Sequence, residues 1–203
     1  MFSDTSHRKP GRRTALLFAV ATAIAIAGMT AFPRHAQAQS NAATAAPAAP
    51  LSPAERAELL RQAQAAQAAV DRLDFDAMIN MLPPAAFKLY DKATFEQQGR
   101  AAMAQLKAMG FRYLKTEYGK PTTSYRVGDD IICFVPRTSL IEIRDRTVKS
   151  QAYWIAVRPA GGGDWKFLDG AGIHAKPELL WHMFPGLPRD IQFPEWKQEV
   201  VKS

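Results

Sequence analysis

The chain changes its hydrophobic period once, at Gly110, and that switch constrains its fold more than any other feature. Before it, apolar residues recur at helical spacing; after it, they alternate. Ser52-Pro53-Ala54-Glu55 marks a helix start, with a serine N-cap, proline at the first helical position and glutamate three residues beyond the cap. Leu59, Leu60, Ala63, Ala66, Val70, Leu73 and Phe75 follow. Their stripe is thin and alanine-rich before Ala69, so the first turns are expected to project as a weakly packed helix. Asp71 or Asp74 can cap a second helix over 75–82, which Pro83-Pro84 ends. A third is expected over 93–109, closed by Gly110 as a left-handed cap.

Beyond Gly110 the alternation predicts strands over 111–117 and 122–127, with Gly128-Asp129 as a two-residue hairpin turn into 130–135. Further strands are expected over 139–143, 148–158 and 164–168, the last two joined across Ala160-Gly161-Gly162-Gly163. Residues 176–184 read as a short helix begun by Pro177, and 185–196 as a proline-punctuated arm that packs apolar side chains without regular structure. Helices first and then an antiparallel meander make residues 51–203 a single α+β domain.

Ahead of that domain, His7, Arg8, Lys9, Arg12 and Arg13 precede a charge-free run from Thr14 to Phe32, and Ala36-Gln37-Ala38 forms an A-x-A cleavage pattern. Residues 1–38 are therefore read as a cleavable signal peptide leaving Gln39 as the mature N-terminus, with export to the periplasm or beyond the cell. The Arg12-Arg13 pair partly matches a twin-arginine signal. An uncleaved segment is the alternative, and the only route by which a membrane becomes a partner. Residues 39–50 are Ala- and Pro-rich with no large side chain to bury, and are expected to be a disordered tether.

This partition changes the meaning of the charge. The full chain has 26 Lys and Arg against 19 Asp and Glu, a net +7 that invites a nucleic-acid reading. Without the five basic residues and one acid of 1–38, 21 basic and 18 acidic residues remain, a net +3. They alternate in sign, as in Arg144-Asp145-Arg146, and no basic run is interleaved with aromatics, so nucleic acid is excluded as a partner. Cys133, alone in an exported chain and set in an apolar strand, reads as an inert core thiol.

The element order, Asp74-Phe75-Asp76 after the first helix, and the closing strand Gly163-Asp164-Trp165-Lys166-Phe167-Leu168-Asp169-Gly170 together resemble the nuclear transport factor 2-like superfamily, in particular small exported bacterial members with a final Trp-x-Phe-x-Asp strand. The resemblance spans roughly residues 54–175. It implies a cystatin-like cone in which N-terminal helices wrap a strongly curved antiparallel sheet around an apolar cavity. The superfamily holds isomerases, dehydratases and polyketide cyclases beside members that only bind other proteins.

By the two-residue period, Trp165, Phe167 and Asp169 share a face. If that face lines the cone, Asp169 sits at the edge of an apolar pocket as the candidate general acid or base. The competing reading makes it a hydrogen-bond acceptor in the turn Asp169-Gly170-Ala171-Gly172, or the partner of a lysine. Enzymatic relatives join such a carboxylate to a tyrosine or histidine, for which Tyr113, Tyr153 and His174 are the candidates. Tyr113, Tyr153, Trp165, Phe167 and His174 are the expected ligand contacts. Tyr153, Ile155 and Val157 alternate with Trp154 and Ala156, as in a strand covered on both faces.

His174 and His182 have no metal-binding spacing, and neither a G-x-S-x-G elbow nor a phosphate loop is present, so no metal or cofactor is expected. The apolar segment Leu179-Leu180-Trp181-His182-Met183-Phe184 is read as docking on the sheet or closing the cone, the alternative being a dimer or partner patch. With no catalytic constellation, the leading expectation is a non-catalytic exported domain that binds an envelope protein or a small apolar ligand, with a homodimer through the sheet a further option. The alternative is a cone-pocket isomerase, dehydratase or hydrolase acting through Asp169.

Overall fold

The computed structural model describes residues 48–89 and 91–202. The signal peptide and most of the tether expected from the sequence lie outside them. The last tether residues are held: Ala48 donates its N–H to the Ser124 carbonyl, and the Ser124 hydroxyl donates to the Ala49 carbonyl.

Three helices come first: α1 (Pro53–Asp71), α2 (Phe75–Asn80) and, after a single 3-10 turn at Pro84–Lys88, α3 (Lys92–Ala108). The capping box on α1 forms as its sequence predicts, Ser52 and Glu55 each accepting from the other's backbone N–H. Asp74 is the cap of α2, accepting from Ala77 at 3.1 Å. At the end of α3 Phe111 donates to Leu106 and Gly110 to Lys107, with Gly110 at φ +66°, a Schellman ending on the expected residue.

The expectation of loosely packed first turns in α1 is corrected. Leu59 and Ala63 are fully buried, and the Gln62 side chain accepts from the Trp165 backbone at 2.7 Å. The stripe is thin in volume, but the long-range partners that pin it, Gln62 to Trp165 and Glu55 to Arg158, are polar. A hydrophobic count cannot register them.

The six strands are β1 (Arg112–Tyr118), β2 (Tyr125–Val127), β3 (Asp130–Ile143), β4 (Arg146–Pro159), β5 (Lys166–Asp169) and β6 (Lys197–Lys202), all antiparallel to their neighbours. Two long strands, β3 and β4, form the spine. β1 and β2 share the free edge of β3 end to end, and β5 and β6 share the free edge of β4. The turn at Gly128-Asp129 is present, with Gly128 at φ +59° and Val127 facing Asp130.

Two strands expected over 130–135 and 139–143 are one. Pro136 does not break it, because it falls where the neighbour changes from β1 to β2. Its carbonyl accepts from Gly119 there, and no ladder donor is needed of it. Two further elements were not foreseen: β6, and the short helix α4 (Gly170–Ala175) in what reads as a turn. The predicted 176–184 helix is present as α5 (Glu178–Met183).

The sheet carries a core on each face. On one, Cys133, Val135, Trp154, Ala156, Trp165 and Phe167 pack beneath α1, α2 and α3. On the other, Phe134, Tyr153, Ile155 and Val157 meet Leu179, Leu180, Met183, Phe184 and the arm through Phe193. The apolar C-terminal segment thus docks on the sheet and covers Tyr153. Among the described residues no helix is long and apolar enough to cross a membrane.

Candidate functional site

Beyond the core on the helical face, α2, the end of α1 and α3 stand off from the far half of the sheet and enclose a cavity of about 300 Å3. Its walls are apolar: Val70, Phe75, Met78 and Leu106 from the helices, Ile141, Val148 and Trp154 from the spine. Exposed Glu199 and Val200, from β6, belong to its rim. The alternation of β3 and β4 turns every second side chain inward, so a strand rich in β-branched residues yields a wall without further design.

The polar groups are Arg137, Asp169, Tyr113, Ser150 and Gln198. Arg137 shares the inward parity of Cys133 and Val135 on β3, and its side chain is 4% exposed. One guanidinium nitrogen donates to Asp169 Oδ2 at 2.5 Å and another to Gln67 Oε1 at 2.7 Å. The plane lies 4.0 Å over the Trp154 ring. Gln67 in turn donates to Asp71 at 2.8 Å. Arg137 Nε is buried without a partner, as is Trp196 Nε1, whose residue also lines the cavity.

Asp169 is the last residue of β5, on the face of Phe167 and opposite Trp154 in the register, as its parity predicts. Both of its oxygens are engaged: Oδ2 accepts from Arg137, and Oδ1 accepts from Ala171 N–H at 2.8 Å as the cap of α4. Tyr113, opposite Ile141 on β1, also lines the cavity. Burial pushes that phenol above its ordinary range, and the Arg137 charge opposes the shift.

The structure therefore brings Asp169 and Tyr113 together at one cavity. Trp165 and Phe167 share the inward face but are spent in the core beneath α1, where Gln62 and Arg158 reach Trp165. Tyr153 lies on the opposite face, stacked on Phe193, its hydroxyl buried without a partner. His174 is exposed and stacks on Trp196 with ring centroids 4.9 Å apart, outside the cavity lining. Arg137 was not among the sequence candidates. Its one signal was a cation at the inward parity of Ile131, Cys133 and Val135.

Among the described residues no three His, Cys, Asp or Glu side chains are placed to hold a metal. No family model, curated protein or solved structure matches this chain.

Proposed function

We propose that this chain is an exported, non-catalytic binding domain whose cavity takes a small apolar ligand. The observation that carries the reading is a cavity of about 300 Å3 walled mainly by apolar side chains, with one ion pair, Arg137 and Asp169, at its polar end and Glu199 at its rim. The same arrangement, helices over one face of an antiparallel sheet with a pocket between them, supports the nuclear transport factor 2-like cone as its fold. Export to the periplasm or medium rests on the basic, apolar and A-x-A order of residues 1–38.

Use of Asp169 as a general base is the weaker reading, because neither oxygen is free: one holds a guanidinium and the other caps a helix. Partner binding through the Tyr153 face of the sheet is also less favoured, since α5 and the arm occupy it.

Titration of the purified full chain with 1-anilinonaphthalene-8-sulfonate tests the reading. Saturable binding is expected in the wild type and a loss of at least tenfold in affinity in Ala171→Phe, which fills the cavity from its wall. Unsaturable binding, or equal binding by the two proteins, refutes it.

A further inference from the structure

Resting on the reading of this cavity as a ligand site, we infer that its ligand carries a neutral hydroxyl, seated between Ser150 of β4 and Gln198 of β6. The register sets four neutral polar side chains in one row across the sheet: Thr116 on β1 faces Ser139 on β3, Ser139 faces Ser150, and Ser150 faces Gln198. The next row on the same face toward the β3–β4 turn is Tyr113, Ile141, Val148 and Val200, and the row on the other side holds Arg137 and Ala152.

The two ends of the polar row differ. Thr116 and Ser139 bond to each other at 2.9 Å and stay out of the cavity lining. Ser150 and Gln198 line it, and their contact, Gln198 Nε2 to Ser150 Oγ, is 3.4 Å, long for an N–H···O bond. Ser150 is 5% exposed, so its hydroxyl is withdrawn from bulk water with only this long bond in exchange.

Ser150 accepts in that bond and has its own proton to give, and the Gln198 amide has a second N–H and a carbonyl oxygen. Two neutral groups that each donate and accept match a ligand hydroxyl, which does the same. A charged group fits less well. Arg137 already has Asp169 at 2.5 Å, and Glu199 at the rim lies 3.8 Å from Lys149 and 3.7 Å from Lys197, so an incoming ion would lose its water without meeting an unspent counter-charge there.

Four probes of nearly one shape separate these cases by isothermal titration calorimetry on the purified full chain. They are 2-ethylnaphthalene, 2-naphthalenemethanol, 2-naphthoate and 2-(aminomethyl)naphthalene. The alcohol is expected to bind roughly three- to tenfold tighter than the ethyl compound, and tighter than either ion. Ser150→Ala, and independently Gln198→Met at the half-buried rim, should each remove most of that preference and leave the ethyl compound's affinity in place.

Equal affinities of the ethyl compound and the alcohol in the wild type overturn the hydroxyl inference while the apolar-ligand reading stands, and so does tightest binding by the carboxylate or the amine. Uniform weakening of all four probes by both variants also overturns it, because that is what a merely structural pair would do. Failure of every probe to bind overturns both readings.

Discussion

Arg137 on β3 reaches past β4 to Asp169 at the end of β5, so one ion pair spans three strands and closes the polar end of the cavity. Its two ends are unequally placed: the arginine side chain is 4% exposed and the aspartate 37%. Removing Asp169 strands a buried cation, whereas removing Arg137 leaves a carboxylate that still caps α4 and still meets water. Asp169→Ala is therefore expected to cost about 3–5 kcal/mol and Arg137→Met clearly less. Urea denaturation of both variants measures the order, and an equal or reversed cost would contradict the assigned burial.

Gly170 follows that aspartate and lies against Tyr153. A Cβ built there would fall 2.3 Å from Tyr153 Cε2 and 2.7 Å from the Tyr153 carbonyl oxygen. Gly170→Ala should cost about 2 kcal/mol or more, through a clash in which one partner is backbone. Tyr153→Phe should be tolerated within about 1 kcal/mol in either direction, since the buried hydroxyl has no hydrogen bond to lose. The two variants compared by thermal unfolding test both statements.

Most of the fold was legible because its signals are local. Capping at Ser52 and Asp74, the Gly110 stop and the Gly128 turn each lie within a few residues of their effect. The two cores on β4 follow from alternation alone. What escaped depends on distant partners. Lys197 to Lys202 has no strong strand pattern and becomes β6 because β4 offers an open edge beyond β5. Asp169 and Tyr113 were legible as residue types, but Arg137 gains its meaning only when Gln67, Trp154 and Asp169 arrive from other elements. Trp165 and Phe167 face inward as expected and still miss the cavity, because parity gives a side and not a depth.

Cys133 is fully buried, and burial pushes its thiol up to about 12. The thiolate is the reactive form, so at pH 8 the native chain should resist iodoacetamide and label at once after unfolding in guanidinium. Mass spectrometry of the native protein after an hour is the check. Stoichiometric labelling under conditions where the fold is intact would place the thiol elsewhere.

Glu55 links α1 to the sheet. Its carboxylate accepts from the Ser52 backbone N–H and pairs with Arg158, and these bonds hold it down at about 2 against an ordinary 4.5. A carboxylate depressed in the folded state contributes stability that is full above pH 4.5 and is lost as the pH falls toward 2. With more than a third of the side chain in water, screening reduces the contribution to about 1 kcal/mol. Glu58, bonded to Arg61 and Gln62 on the same helix, is lowered to about 2 as well, so the wild-type curve alone does not separate them. The difference in urea midpoint between wild type and Glu55→Gln does. It should be constant from pH 7 to 5, shrink between pH 4.5 and 2, and be reduced but not abolished by Arg158→Met, which leaves the Ser52 backbone bond in place. A difference that grew on acidification would reverse the sign and refute the cap-and-bridge assignment.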